Sequence, residues 1–425
     1  MNFLYLILFC IASLCQASTI DHSLKHTTKN AWTVFTYIAA DNDLNPYAQV
    51  NIQQMMEAGS NSERTFLVYL AETKQDTRYG KLLRIDKGAI VELSHDDNVD
   101  SGVQKTCLDA CIKAFTLYPA QHYALIFWDH GSGCLNKPFS ELFRGIAYNE
   151  PLDTYLDDKD VLDILRIVSD EILGGKKIDI LGFDACLMAS LELQTIYAPY
   201  ADFYVASEEN EDGPGWDYTG AFEHITNNST PKEVATSWVT AFGNLYASQA
   251  DFYTLSAIDL SHINLLVDNV NNVAQLLTKI LTGDQAIDIA LNVQKLMHHA
   301  HITCFDAPGA LYDYVDLDHL YTNLIQALKS QPINEQQSLI HDLMTLLKDG
   351  RKLINNAVIA NTKGEKHIKA GGISIYWAQE IIHPSYEKLV WTQMHPYWHI
   401  LLRTYIDILT NQSSIESSIS KSYNF

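Results

Sequence analysis

The chain has 425 residues, of which 47% are apolar, and this is enough for a large hydrophobic core and for two domains. Its 51 acidic and 29 basic side chains give a formal charge of −22 at pH 7. Such a field repels phosphate backbones and anionic lipid, so we expect no nucleic-acid binding. The same field attracts cationic partners, including peptides that are rich in Lys or Arg.

The N-terminal residues are typical of a signal peptide. An almost unbroken apolar run from Phe3 to Leu14 precedes small residues around Ala17. The run is too short to span a bilayer, and no later stretch is apolar enough for a membrane helix. We therefore predict a signal peptide at residues 1–17 and a secreted or periplasmic mature chain.

The cysteine count excludes a disulfide framework. Five cysteines follow the predicted signal peptide, and they are Cys107, Cys111, Cys134, Cys186 and Cys304. An odd number in an exported protein leaves at least one free thiol. No second ligand pair has the spacing of a zinc site, so we expect no bound metal of this kind.

The first half of the mature chain alternates between strand and helix patterns. Apolar, β-branched runs predict strands at 33–39, 65–71, 80–86, 122–128, 178–183 and 203–206. Helical spacing predicts helices at 45–58, 103–117, 158–173 and 187–197. This alternation is typical of an α/β fold with a mostly parallel sheet flanked by helices.

Helical periodicity dominates beyond residue 231. It predicts helices at 234–246, 262–281, 291–297, 315–328 and 335–356, with strands at 252–260 and 372–377. We predict a first domain at 18–255 and an α-rich C-terminal domain with a late strand at 256–410. A Ser-rich, flexible tail is predicted at 411–425.

Two predicted strands end in reactive side chains. The strand at 122–128 runs into WDHGSG, which contains His130, and the strand at 178–183 runs into DACLMA, which contains Cys186. Ligands of an open parallel sheet bind at the carboxyl ends of its strands. If the two strands are neighbours, His130 and Cys186 face one another as a Cys/His dyad.

The predicted surroundings suit these two roles. Cys186 is expected to begin the helix at 187–197, whose positive end favours a thiolate. The backbone amides of Gly131 and Cys186 are candidate donors of an oxyanion hole. A histidine alone is more often a core residue, and a cysteine alone is more often buried and inert. The catalytic interpretation therefore depends on the occurrence of both residues at the ends of two strands.

The segments ALIFWDHGSG and IDILGFDACLMASLELQ resemble the two catalytic motifs of the clostripain family of cysteine peptidases. WTVFTYIAADNDLN, RGIAYNE and GGISIYWA also resemble segments of that family, so the similarity spans most of the mature chain. The resemblance implies the caspase-like fold that the family shares with caspases, legumains and gingipains. It also implies His130 as the catalytic histidine and Cys186 as the nucleophile.

The preference of the family for basic side chains at the cleaved bond has two candidate causes here. Asp184, two residues before Cys186, is expected at the floor of the S1 pocket, where it would pair best with Arg. Asp212 is a second candidate at the pocket rim. The alternatives are a strand-end or helix-capping carboxylate for Asp184 and a solvated loop for Asp212.

Self-cleavage and calcium dependence, known in the family, are left open by this sequence. Lys137 and Arg144 are candidate self-cleavage sites between the two motifs, and an ordinary surface loop is the alternative. The segment 41–45 lacks the Gly and terminal Glu of an EF-hand. We therefore expect a hydrogen-bonded loop that lines the cleft, and no required cofactor, with Ca²⁺ kept as an alternative.

The sequence predicts an exported cysteine endopeptidase that cleaves after Arg, and less well after Lys, through a thioester acyl-enzyme. Its expected partners are proteins or peptides with basic residues, and we expect a monomer without a membrane span. Two alternatives remain. One is the same fold with an Asn or Asp preference, and the other is a catalytically silent binding module.

Overall fold

The computed structural model describes residues 30–75, 77–135, 145–283, 286–299, 302–303, 314–329, 336–378 and 380–422. The predicted signal peptide, the candidate cleavage residues Lys137 and Arg144, and Cys304 lie outside the described residues.

The described chain folds into strands and helices with the following bounds. The strands are β1 (Asn30–Ala40), β2 (Arg64–Lys74), β3 (Thr77–Asp86), β4 (Ala89–Asp97), β5 (Ala120–Trp128), β6 (Ile146–Asn149), β7 (Thr154–Leu156), β8 (Ile178–Asp184), β9 (Ala201–Ala206), β10 (Thr254–Asp259), β11 (Ile302–Thr303), β12 (Tyr314–Asp316), β13 (Val358–Lys363) and β14 (Ser374–Tyr376). The helices are α1 (Asn45–Ala58), α2 (Gln104–Leu117), α3 (Asp158–Ile167), α4 (Leu191–Tyr197), α5 (Tyr218–Phe222), α6 (Pro231–Tyr246), α7 (Ile263–Ile280), α8 (Ala286–His299), α9 (Leu317–Lys329), α10 (Gln337–Ala357), α11 (Val390–Met394) and α12 (Pro396–Ser422).

A nine-stranded sheet forms the centre of the molecule, in the order β13-β10-β9-β8-β5-β1-β2-β3-β4. Strands β2, β1, β5, β8 and β9 pair in parallel, and the outer strands on both sides pair antiparallel. This confirms the predicted α/β class and its mostly parallel sheet.

The central strands are apolar runs because helices cover both faces of the sheet. In β1, every residue after Asn30 is buried, and successive side chains enter opposite cores. Phe35 and Tyr37 belong to the core under α2, α3, α4 and α7. Val34 and Ile38 belong to the core under α1, α5 and α6.

The C-terminal region adds an edge strand to the same sheet. Helix α10 ends at Ala357, and β13 follows at once and pairs antiparallel with β10. The sequence pattern did not predict β13 or the hairpin strand β4. The tail predicted from residue 411 begins inside α12, which continues to Ser422.

Candidate active site

The two strands that precede the reactive side chains are direct neighbours. β5 pairs in parallel with β8, and the last paired residues are Trp128 and Asp184. One more backbone hydrogen bond continues this strand pairing, from the Asp129 amide to the Asp184 carbonyl oxygen at 3.3 Å. His130 and Cys186 therefore leave the sheet side by side, as the strand-end argument predicts.

Gly131 permits a very close approach of the two chain segments. A Cβ atom at this position would lie 2.3 Å from the Cys186 carbonyl oxygen and 3.1 Å from the Cys186 nitrogen. Such contacts are available only to a residue without a side chain. The two amides predicted as an oxyanion hole thus belong to backbone segments in contact.

His130 and Cys186 line one cleft of about 240 Å³ at the carboxyl edge of the sheet. Asp184, Glu211 and Asp212 line the same cleft, so the structure brings both predicted S1 carboxylates next to the thiol. No Lys or Arg lines the cleft in the described part of the chain.

A larger cavity of about 480 Å³ lies elsewhere, between α9, α10 and β13. Arg351 in its wall is held by Asp318, with Nε to Oδ1 at 2.7 Å and Nη2 to Oδ2 at 2.9 Å. No described cysteine lines it. Of these two cavities, the smaller cleft is the one that a described cysteine lines.

The imidazole of His130 contacts a carboxylate that the sequence analysis did not single out. Nε2 of His130 lies 2.8 Å from Oδ1 of Asp43, in the loop between β1 and α1. The side chain of Asp43 is 78% exposed and that of His130 is 20% exposed. A carboxylate at Nε2 favours the tautomer with its hydrogen on that nitrogen, which leaves Nδ1 to accept a proton.

Asp129 anchors the histidine segment from inside the protein. It is buried and accepts hydrogen bonds from the Asn42 amide, at 2.6 Å, and from the Tyr148 backbone. Burial raises the pKa of Asp129 to about 7, and the neighbouring His130 opposes this rise. These contacts fix the start of the histidine segment against the loop after β1 and against β6.

The loop after β1 is a hydrogen-bonded structure. Oδ1 of Asp41 accepts from Thr73 at 2.6 Å, and its Oδ2 accepts from Ser101 at 2.9 Å and from Asn149 at 3.1 Å. Neutral donors therefore satisfy this buried carboxylate. Within the described ranges, no group of three or more His, Cys, Asp or Glu side chains is arranged to hold a metal ion.

Cys186 lies in a turn, so the prediction that it begins a helix is wrong. Helix α4 starts only at Leu191, and Ser190 is its N-cap. The intervening backbone pairs with the segment after β9 instead, because the Leu187 amide donates to the Glu209 carbonyl at 3.0 Å. Leu187 also has a left-handed backbone, with φ at 66°. A helix dipole is therefore no explanation for a reactive thiol here.

The thiol is held by the backbone of Glu211. Its sulfur accepts a hydrogen bond from the Glu211 amide at 3.3 Å and lies 3.8 Å from the Glu211 carbonyl oxygen. Burial raises the pKa of Cys186 to about 12, the Glu211 amide lowers it, and the Glu211 and Glu209 carboxyl groups raise it. The thiol is therefore neutral in the empty cleft.

Asp184 is buried at the base of the cleft. Its Oδ2 accepts from the Tyr218 hydroxyl at 2.7 Å and from the Trp216 amide at 3.3 Å. Burial raises its pKa to about 6. Since Ser190 caps α4, the helix-capping alternative for Asp184 does not hold.

Asp212 lies at the rim of the same cleft and is exposed to solvent. Its position agrees with the predicted one, but its exposure makes a pairing with a ligand weaker than at Asp184.

Glu211 is the cleft residue that the sequence reasoning missed. Both oxygens of its carboxyl group are buried, and neither has a hydrogen bond of ordinary geometry among the described residues. The Trp216 side chain and the Ala185 backbone are near enough to lower its pKa. Burial and the facing Asp184 carboxyl raise its pKa well above the usual range. The strand-end rule applied to β9 would have found it, because SEENED directly follows that strand.

The described chain thus combines a mostly parallel sheet with a histidine and a cysteine at the ends of two adjacent strands. The sequence profile of the clostripain family matches residues 36–398. The chain belongs to the clostripain family of cysteine peptidases.

Clostripain from Hathewaya histolytica is 30% identical over an alignment of 233 residues, and the match covers 46% of this chain and 43% of that protein. The chain thus matches less than half the length of this relative.

Solved structures share the fold. A secreted C11 cysteine protease from Bacteroides thetaiotaomicron, in complex with an irreversible peptide inhibitor, aligns with a TM-score of 0.60 at 21% identity. The alignment covers 88% of this chain and 99% of the Bacteroides thetaiotaomicron chain. An inactive zymogen C11 protease from Parabacteroides distasonis aligns with a TM-score of 0.62 at 19% identity, over 87% and 99% of the two chains.

Within the part of the chain that the structure describes, no helix has both the length and the apolar character needed to cross a bilayer.

Proposed function

We propose that this peptidase cleaves peptide bonds after Arg, and less efficiently after Lys, with Cys186 as nucleophile and His130 as proton carrier. One observation carries the specificity: two buried carboxyl groups, of Asp184 and Glu211, line the cleft that contains the Cys186 thiol. A buried acidic pocket without Lys or Arg among its described lining residues favours a cationic ligand.

The geometry supports the following reaction. Nδ1 of His130 accepts the thiol proton as the sulfur attacks the substrate carbonyl carbon, and the amides of Gly131 and Cys186 stabilise the resulting oxyanion. The C–N bond then breaks, and His130 returns the proton to the leaving amine. Water attacks the thioester and releases the acid product, and its proton passes through His130 to the sulfur.

A guanidinium group suits this pocket better than an ammonium group. Its planar fork can donate to two carboxyl groups at once, whereas Lys presents a more strongly hydrated point charge. Asp at P1 would meet like charge from Asp184 and Glu211, and Asn would leave the buried carboxylate unpaired. The alternatives with Asp or Asn preference are therefore disfavoured.

A silent binding module would not need a thiol held at 3.3 Å by a backbone amide beside a histidine with a carboxylate partner. Retention of this arrangement supports catalysis.

We also propose export through the N-terminal signal peptide and activation by cleavage after Arg144 or Lys137. The Bacteroides thetaiotaomicron protein is described as secreted and the Parabacteroides distasonis protein as a zymogen, which supports both proposals. Intact-mass measurement of the purified chain beside Cys186→Ala tests them. Masses that differ only by the substituted side chain would contradict self-cleavage, and a mature N-terminus at residue 1 would contradict export.

The test of the proposed activity is hydrolysis of fluorogenic peptides that differ only at P1, as Arg, Lys, Asn or Asp. We expect hydrolysis in the order Arg, then Lys, and its loss in Cys186→Ala. The proposed reaction needs no cofactor, and assays with Ca²⁺ and with a chelator test this. Preferred cleavage after Asn or Asp would overturn the specificity, and no hydrolysis by the processed chain would favour the binding module.

A further inference from the structure

Two acidic side chains meet in the substrate pocket without a cation between them. Asp184 comes from the end of β8, and Glu211 comes from the segment that follows β9. Both carboxyl groups are buried and line the same cleft, and after burial each is the strongest influence on the pKa of the other. Two buried carboxylates at close range cannot both ionise without a large electrostatic cost.

No Lys or Arg among the described residues lines the cleft to balance the charge of the pair. Tyr218 donates its hydroxyl to Asp184, and Tyr246 donates its hydroxyl to the Gly215 carbonyl, so both phenols are neutral here. The other titratable groups that line the cleft among the described residues are the neutral Cys186 thiol, the exposed carboxylate of Asp212, the buried carboxyl group of Asp129 and the imidazole of His130, which contacts Asp43.

We infer that Asp184 and Glu211 hold one proton between them in the empty pocket, and that a basic P1 side chain displaces this proton when it binds. The inference rests on the proposed cleavage after basic residues. It makes Glu211 a specificity-determining residue and couples substrate recognition to proton release.

The direction of the coupling follows from the charges. At neutral pH the empty pair carries one negative charge and one proton, because Asp184 titrates near 6 and the pKa of Glu211 is raised well above its usual value. A guanidinium group stabilises the ionised form of Glu211 and lowers its pKa, so the proton leaves to solvent. Binding that releases a proton strengthens as pH rises.

The coupling distinguishes the two carboxyl groups by pH range. Below about pH 6 Asp184 is protonated and the pocket is neutral, so a cation binds poorly. Above that pH, Asp184 contributes a constant charge. Any further gain in preference for a basic side chain is then due to Glu211.

The test compares two peptides that differ only at P1, Arg against its uncharged isostere citrulline. The ratio of their kcat/KM values is measured from pH about 5 to about 9. Titration of Cys186 and His130 affects both peptides and cancels in this ratio. We expect a ratio that keeps rising above pH about 7 in the natural chain.

In Glu211→Gln we expect a ratio that is lower by roughly tenfold and flat above pH about 7. Glu171→Gln removes one exposed carboxylate outside the pocket and should keep the rise of the natural chain. A flat ratio in the natural chain, or an unchanged rise in Glu211→Gln, would overturn the shared proton. Citrulline cleaved as well as Arg at every pH would instead overturn the proposed function.

A binding measurement covers the case in which Glu211→Gln does not fold. Cys186→Ala is titrated with an Arg-ending product peptide at pH about 7.5, in two buffers with different ionisation enthalpies. We expect release of up to about one proton per bound peptide, and none with the citrulline peptide. Equal heats for the Arg peptide in both buffers would contradict the inference.

Discussion

Residue 211 contributes two separate groups to the cleft, an amide that donates to the Cys186 sulfur and a carboxyl group that faces Asp184. The nucleophile and the pocket acid are therefore linked through one residue. When it is ionised, its carboxyl group raises the pKa of Cys186, and a bound cation that pairs with the ionised carboxylate offsets this effect on the thiol.

Substitution of the two predicted S1 carboxylates should have unequal effects. Asp184→Asn removes a buried charge, and we expect kcat/KM for a P1-Arg peptide to fall by roughly a hundredfold. Asp212→Asn removes an exposed charge, and we expect a fall of less than about fivefold because solvent screens it. Steady-state kinetics measure both. A larger loss in Asp212→Asn would place the main specificity acid at the rim.

Removal of the histidine partner should impair the chemical step. In Asp43→Asn the His130 tautomer is no longer fixed, and we expect kcat to fall by about tenfold to a hundredfold with little change in KM. Since Asp43 is 78% exposed, its thermal stability should match the natural chain. An unchanged kcat would mean that the contact at 2.8 Å has no role in turnover.

The half-buried Cys186 thiol should react slowly in the free enzyme. With a Cys186 pKa raised to about 12, the thiolate fraction is small at neutral pH and grows as pH rises. We therefore expect iodoacetamide alkylation of Cys186 to accelerate up to at least pH about 9 without a plateau. Peptide mass spectrometry resolves Cys186 from the buried Cys107, Cys111 and Cys134. A plateau below pH about 7 would reveal a thiolate in the empty cleft.

At the level of elements, the turn between β8 and α4 explains both a correct and an incorrect prediction. The strand-end rule placed Cys186 correctly, since it depends only on β8 and its parallel neighbour. The helix was predicted four residues too early because 187–190 are apolar and small, with no local signal against a helix. Instead, backbone hydrogen bonds to the Glu209 and Ser207 carbonyl groups, which are distant in sequence, determine the conformation of 187–190.

A substitution at Gly131 tests whether the site requires close contact between the turn that contains His130 and the turn that contains Cys186. In Gly131→Ala the new Cβ would meet the Cys186 carbonyl oxygen at 2.3 Å, so the turns must separate. We expect a loss of kcat of at least about a hundredfold and a loss of about 1–3 kcal/mol in unfolding free energy. Kinetics and urea unfolding measure the two effects. Full activity would exclude the Gly131 amide region from the proposed oxyanion hole.

At the scale of the whole molecule, composition and periodicity predicted the α/β class and most elements of the sheet. They missed β13, whose residues follow α10 without a break and find their place only by pairing with β10. They also missed Glu211, because a run of acidic residues is usually a solvated loop and its burial is a property of the folded cleft. Local pattern identifies strands and their ends, whereas edge pairing and burial of polar groups require the tertiary structure.

The central claim is that Cys186 attacks substrates that carry a basic P1 side chain. Covalent labelling of the active chain with a peptide chloromethyl ketone that ends in Arg tests it most directly, with the Asp-ending reagent as its matched control. We predict a single adduct on Cys186 with the Arg reagent, none with the Asp reagent, and loss of labelling in Glu211→Gln at low reagent concentration. An adduct on Cys134 or another residue, or equal labelling by both reagents, would contradict the account.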